Sequence, residues 1–136
     1  MTDIEIAQLT DRFMRRIHAA LNVSAPAFDT HRIGPAGGIL LLTLADMEPA
    51  RIQDVVARMA RDKAQITRGI QMLERRGLLT RQDLPRDGRV SMISLTGEGR
   101  STVLALQTAV AEALDDILAP LTENDRTLLK EILSRL

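Results

Sequence analysis

The sequence predicts a mainly α-helical chain with one small β-hairpin set between its fourth and fifth helices. Apolar residues recur at spacings of three and four through most of the 136 residues. Between Leu78 and Leu95 that period gives way to two short β-prone runs around a turn-rich stretch. No repeat, low-complexity tract or long linker divides the chain, so residues 1–136 read as a single domain.

The elements follow in order. Ile6, Leu9, Phe13, Ile17 and Leu21 make one apolar helix face that ends near Pro26. THRIGPAGG reads as a breaker, and ILLLTLADM after it as a short central helix, apolar on nearly every side. Ile52, Val55, Val56 and Met59 define a third helix that stops around Ala60. Asp62 offers an N-cap to a fourth, whose buried stripe is Ile66, Ile70 and Leu73. Gly77 ends it, with Arg75 and Arg76 in the last turn where cations suit the helix dipole.

LLTRQ and RVSMISL then flank DLPRDG as a hairpin with a charged tip. Thr96 caps a long helix with Val103, Leu106, Val110, Leu114, Ile117 and Leu118 on its apolar face. Pro120 interrupts it. A last helix starts at Thr122, with Asp125 in its first turn and Leu128, Leu129, Ile132, Leu133 and Leu136 as its face.

Composition removes several function classes. There is no cysteine, which excludes disulfides, thiolate metal sites and thiol nucleophiles. The only histidines, His18 and His31, lack the clustered companions of a closed zinc site, and no glycine-rich phosphate loop or nucleophile elbow is present. The expectation is therefore no enzyme, no metal and no cofactor. Phe13 and Phe28, the only aromatic side chains, lie in apolar helical contexts, so the base-stacking platforms of single-strand binders are absent. The acidic opening MTDIEIAQ differs from a secretory leader and no apolar run is long enough to span a membrane, so a soluble cytoplasmic protein is expected.

Net charge is zero, but its distribution is uneven. From Arg51 to Arg89 there are ten basic residues against five acidic ones. That basic segment coincides with two short helices, a turn and a hairpin, the order of a winged helix-turn-helix, whose second helix enters the major groove. With Ile66, Ile70 and Leu73 inward, the outward face carries Lys63, Gln65, Thr67, Arg68, Gln71 and Arg75. Arg pairs bidentately with guanine and Gln with adenine, so Arg68, Gln65 and Gln71 are the base-reading candidates. Lys63 and Thr67, near the helix start, suit phosphate oxygens. Arg86, Asp87 and Arg89 sit at the hairpin tip and its return strand, where arginine suits a narrow minor groove and Asp87 can hold the Arg89 guanidinium extended.

The run DKAQITRGIQMLERRGLLTRQDLPRDGRVSMISLTGEGR resembles the MarR family of bacterial regulators, most specifically through Asp87 and Arg89 followed by Leu95, Thr96 and Gly99. The resemblance implies a winged-helix lobe, assigned to residues 34–95, and terminal helices, residues 1–30 and 96–136, that interleave with a second copy as a dimerisation lobe. It also implies a recognition helix from Asp62 to Arg76, and Arg89 as the minor-groove arginine supported by Asp87. Three positions depart from the family: Val56 replaces a usual alanine, and Ala60 and Arg61 replace the usual Gly and apolar residue of the turn.

The resulting expectation is a sequence-specific double-stranded DNA-binding regulator, a repressor that binds a pseudo-palindromic operator as a homodimer, with half-sites about 10 base pairs apart. The apolar faces of the first and last two helices exceed what a winged-helix core can cover, which argues separately for a partner chain. The resemblance further implies release by a small aromatic or anionic effector; Arg15, Arg16, His18 and His31 are the polar groups that could meet a carboxylate. The competing reading, favoured by the zero net charge, is a winged-helix protein-interaction module that binds no DNA.

Overall fold

The computed structural model describes residues 3–84 and 90–136, apart from the side chain of Leu84. The order is α1 (Asp3–Phe28), α2 (Gly34–Met47), β1 (Ala50–Arg51), α3 (Ile52–Met59), α4 (Lys63–Arg75), β2 (Leu79–Leu84), β3 (Val90–Leu95), α5 (Gly97–Leu118) and α6 (Glu123–Ser134). This is the mainly helical chain with a small hairpin that the periodicity predicts. The residues group into two compact units, one of Met1–Ala25 with Thr108–Leu136, the other of Pro26–Gln107.

The second unit holds the hydrophobic core. Leu41, Leu44, Val55, Ile70, Leu73, Leu78 and Ile93 are fully buried there, with Leu40, Ile66, Leu79, Leu95, Val103 and Leu106 nearly so. Every helix from α2 to the first half of α5 thus contributes an aliphatic stripe to one cluster. Close packing also explains particular glycines: a Cβ on Gly69 in α4 would lie 2.6 Å from Leu40 Cδ2, so the lack of one lets α4 approach α2.

The start of α2 corrects the sequence reading. THRIGPAGG is not a breaker throughout; its GPAGG forms the first turn and a half of the helix. Three local features allow this. The Asp29 carboxylate accepts from Ile33 N (2.9 Å) and Gly34 N (3.1 Å), Pro35 stands in the first turn where its missing N–H costs nothing, and Gly37 and Gly38 are buried. A Cβ at Gly37 would come within 3.0 Å of both Ile33 Cβ and Met72 Cε, so these glycines are packing positions rather than punctuation. At the other end of α1, Pro26 lies inside the helix, which runs on to Phe28.

The sheet is antiparallel in the order β1-β3-β2. Its hairpin register pairs Leu79 with Leu95, Arg81 with Ile93 and Asp83 with Ser91. β1 adds Ala50 opposite Ile93 and Arg51 opposite Met92, a strand the sequence reading lacks because two residues carry no alternation.

The predicted caps of the last two helices form, and the first of them does more than end a helix. Thr96 Oγ1 accepts from Gly99 N at 3.0 Å and donates to Gly77 O at 2.7 Å, while Thr96 N donates to Leu78 O at 3.0 Å. A Cβ on Gly99 would collide with that same Leu78 carbonyl oxygen. The Leu-Thr-x-x-Gly pattern is thus the junction at which the end of α4, the hairpin and α5 meet. At α6, Thr122 and Asp125 make a reciprocal capping box, both bonds 3.1 Å.

In the first unit the apolar faces of α1 and α6 remain open. No residue of α1 or α6 is buried, and Ile6, Leu9, Leu128 and Leu133 each keep about half of their surface exposed.

Candidate nucleic-acid interface

The candidate surface is built on α4. Asp62 occupies its N-cap position with extended backbone, but its side chain makes no capping bond. Its contribution is the carbonyl, which accepts from Ile66 N at 3.1 Å. Arg76 and Gly77 close the other end, Gly77 at φ +77°, a left-handed conformation that favours glycine. Before α4, the turn from α3 passes through Ala60 in the left-handed region (φ 50°, ψ 40°).

The helix has two distinct faces. Ile66, Ile70 and Leu73 are buried, at 3%, 0% and 0% exposure. Lys63, Gln65, Arg68, Gln71 and Arg75 are exposed, and Thr67 is half-buried at the edge between the two. The helical projection drawn from sequence therefore gives the correct inward and outward sides. Arg86, Asp87 and Arg89 lie outside the described residues.

The hairpin is tied to this helix by an ion pair. Arg81 on β2 donates to Glu74 in the last turn of α4 through Nη2 (2.7 Å to Oε1) and Nε (3.4 Å to Oε2). The hydrogen bond to Glu74 holds the Arg81 guanidinium above its ordinary pKa; burial opposes this, and the charges of Glu74 and Asp83 add to it. The register explains the geometry: Arg81 shares a sheet face with Leu79, Leu95 and Ile93, the face turned to the core, so its stem runs beside α4. Next along that face, Ser91 Oγ donates to Asp83 Oδ1 at 2.7 Å.

Sequence reasoning missed this tie, and it missed Arg51. Glu74 and Arg81 stand on either side of the Gly77 turn, and only the inward parity of β2 signals their meeting. Beside them lies an open groove of about 390 Å³ between the start of α3, the first turns of α4 and the hairpin. Arg51, Lys63 and Arg81 all line it.

Of the other polar candidates, two have a partner. Arg15 pairs with Asp11 at 2.7 Å, one turn away on α1. His31 Nε2 lies 3.1 Å from Glu98 Oε1, while Arg16 and His18 are exposed. Among the described residues no group of three or more His, Asp or Glu side chains could hold a metal ion. No described helix is long and apolar enough to cross a membrane.

Comparison with known proteins meets this geometry at the same segment. A sequence model of the MarR family matches residues 39–91, the stretch from α2 through the start of β3. Over that stretch the chain is similar to the MarR family. MarR is a family of transcriptional regulators, not of enzymes. The chain is 27% identical over 97 residues to YdgJ, an uncharacterised HTH-type transcriptional regulator of Bacillus subtilis (strain 168); the alignment covers 71% of this chain but 59% of YdgJ. Among solved structures, a probable transcriptional regulator from Pseudomonas aeruginosa is 27% identical, with a TM-score of 0.76 over 98% of this chain and 97% of that one. The fold is also that of BpsR from Bordetella bronchiseptica, whose DNA binding is regulated by 6-hydroxynicotinic acid (24% identity, TM-score 0.79, 96% and 97% covered). The MarR winged-helix architecture expected from the resemblance is therefore the fold of this chain.

Proposed function

We propose that this chain is a MarR-family, sequence-specific double-stranded DNA-binding repressor that acts as a homodimer on a pseudo-palindromic operator. The observation that carries the reading is the division of α4: an aliphatic stripe sunk into the core, and Lys63, Gln65, Arg68 and Gln71 free of it on the outside. In this reading α4 lies in the major groove, with Arg68, Gln65 and Gln71 at base edges and Lys63 and Thr67 at phosphates. Arg86 and Arg89 reach the minor groove, with Asp87 orienting Arg89. Residues 34–95 serve as the DNA-binding lobe, and residues 1–30 with 96–136 as the dimerisation helices.

A second copy is the natural cover for the open apolar faces of α1 and α6, and the twofold axis it creates repeats the reading head about one DNA turn away. Control by a small aromatic or anionic effector belongs to the same reading. Its support is the likeness to BpsR, whose DNA binding answers to a small aromatic acid.

The test is a titration of selected and scrambled duplexes over a salt series. Affinity falls steeply with salt if phosphate contacts release counterions. Arg89→Ala weakens binding to all sequences, whereas Arg68→Ala also relaxes the preference at one base position by about 1–3 kcal/mol. Wild-type binding by both variants refutes the residue assignment, and no duplex binding by the wild type refutes the function.

A further inference from the structure

We infer that the groove between α3, α4 and the hairpin seats one phosphodiester of a DNA strand, with Arg51 and Arg81 joining Lys63 as its cations and Glu74 positioning Arg81. The inference rests on the duplex-binding reading above and adds to it a site and three residues.

Three cations from three separate segments converge on this one concavity: Arg51 from β1, Lys63 from the first turn of α4, and Arg81 from β2. Arg51 and Lys63 have no ion-pair partner among the described residues. Like charges gathered in a hollow repel one another and focus a positive potential outward, an arrangement that an incoming anion relieves. Neutral polar groups share the wall, in Gln53 and Thr67. Ser91 also lines it, but its hydroxyl proton is committed to Asp83.

Arg81 differs from the other two cations in being held. A guanidinium carries five N–H donors in a planar fork, and Glu74 takes one from Nε and one from Nη2. Three donors remain on a side chain whose plane is already fixed, so little freedom is lost when an anion arrives. Glu74 therefore prepares Arg81 for the groove rather than merely cancelling its charge.

The ligand is a phosphodiester because of where the groove lies. It opens beside Lys63 and Thr67, the edge of α4 assigned to DNA phosphates, so a strand that follows the helix start passes its mouth.

The experiment uses the full chain and a duplex obtained by selection from random sequence. Each lost phosphate contact lowers the slope of log affinity against log salt by about 0.9. For Arg51→Gln, a fourfold rise in salt should therefore cost about 3.5-fold less affinity than it costs the wild type. Glu74→Ala gives a test of opposite sign. Removing a negative charge beside a polyanion strengthens binding if Glu74 is only a charge, whereas the positioning role predicts weaker binding.

Replacing single phosphates by neutral methylphosphonates should reveal one sensitive position per half-site at which Arg51→Gln loses nothing further. Wild-type slope and affinity in both variants overturn the groove assignment while leaving duplex binding intact. Absence of duplex binding by the wild type overturns both. Competition by inorganic phosphate at constant ionic strength that depends on Arg51, with no sensitive phosphate position in the duplex, assigns the groove to a free anion and also overturns the proposal.

Discussion

Replacing Thr96 by alanine removes one hydroxyl from the junction of α4, the hairpin and α5. That hydroxyl accepts from Gly99 N at 3.0 Å and donates to Gly77 O at 2.7 Å. The first bond is an N-cap, worth about 1 kcal/mol. The second is an ordinary side-chain to backbone bond, also worth about 1 kcal/mol net. Gly77 is exposed, so water can take over its carbonyl and the second loss stays at the low end. The expected total is about 1.5–2 kcal/mol. With an unfolding entropy of about 2.1 cal/mol/K per residue, 136 residues give roughly 0.29 kcal/mol/K, so the melting temperature falls by about 5–7 °C.

Thr96→Ser is the control that keeps both bonds and loses only a methyl group, and it should shift stability by less than about 0.5 kcal/mol. Urea unfolding followed by circular dichroism, at one fixed protein concentration for all variants, measures both. If Thr96→Ala is as stable as Thr96→Ser, the hydroxyl does not hold the junction and the reasoning fails.

Two further stability predictions use the same assay. Gly99→Ala should destabilise by about 1–3 kcal/mol because its Cβ meets the Leu78 carbonyl, although helix propensity alone favours alanine by about 1 kcal/mol; a stabilised variant would show that the collision relaxes freely. Ala60→Gly should stabilise by about 0.5–1 kcal/mol, because relief of the left-handed strain of about 1–2 kcal/mol exceeds the extra backbone entropy of glycine; an unchanged or lower midpoint would contradict this.

What could be read from the sequence follows from which signals are local. The face of α4 was legible because Ile66, Ile70 and Leu73 repeat at helical spacing between two strong punctuation marks, Asp62 and Gly77. The caps at Thr96 and Thr122 were legible for the same reason, since a capping bond reaches only three residues. The start of α2 was not, because a Gly-Pro-Ala-Gly-Gly string signals a turn by composition. Its helical start is held by the Asp29 carboxylate, which accepts from Ile33 N and Gly34 N, and Gly37 leaves room for Met72 from far along the chain, neither of which composition signals. β1 was hidden by its length, since its pairing with β3 is a tertiary event.

The same contrast holds for the candidate site. Lys63, Gln65, Arg68 and Gln71 emerge from the period of a single helix. Arg51, Glu74 and Arg81 come together only when the hairpin folds back beside α4, and Arg81 looks like a surface residue until the register with Ile93 places it on the core side of the sheet. Ala60 is an intermediate case: the resemblance implies a glycine there, and the backbone gives a reason for one, a left-handed turn between α3 and α4.

The most direct test of the central claim is hydrogen–deuterium exchange of the whole protein with and without a selected operator duplex. Protection on binding should concentrate in residues 63–71 and 86–89. Protection confined to other segments, with residues 63–71 exchanging as in the free protein, would contradict it.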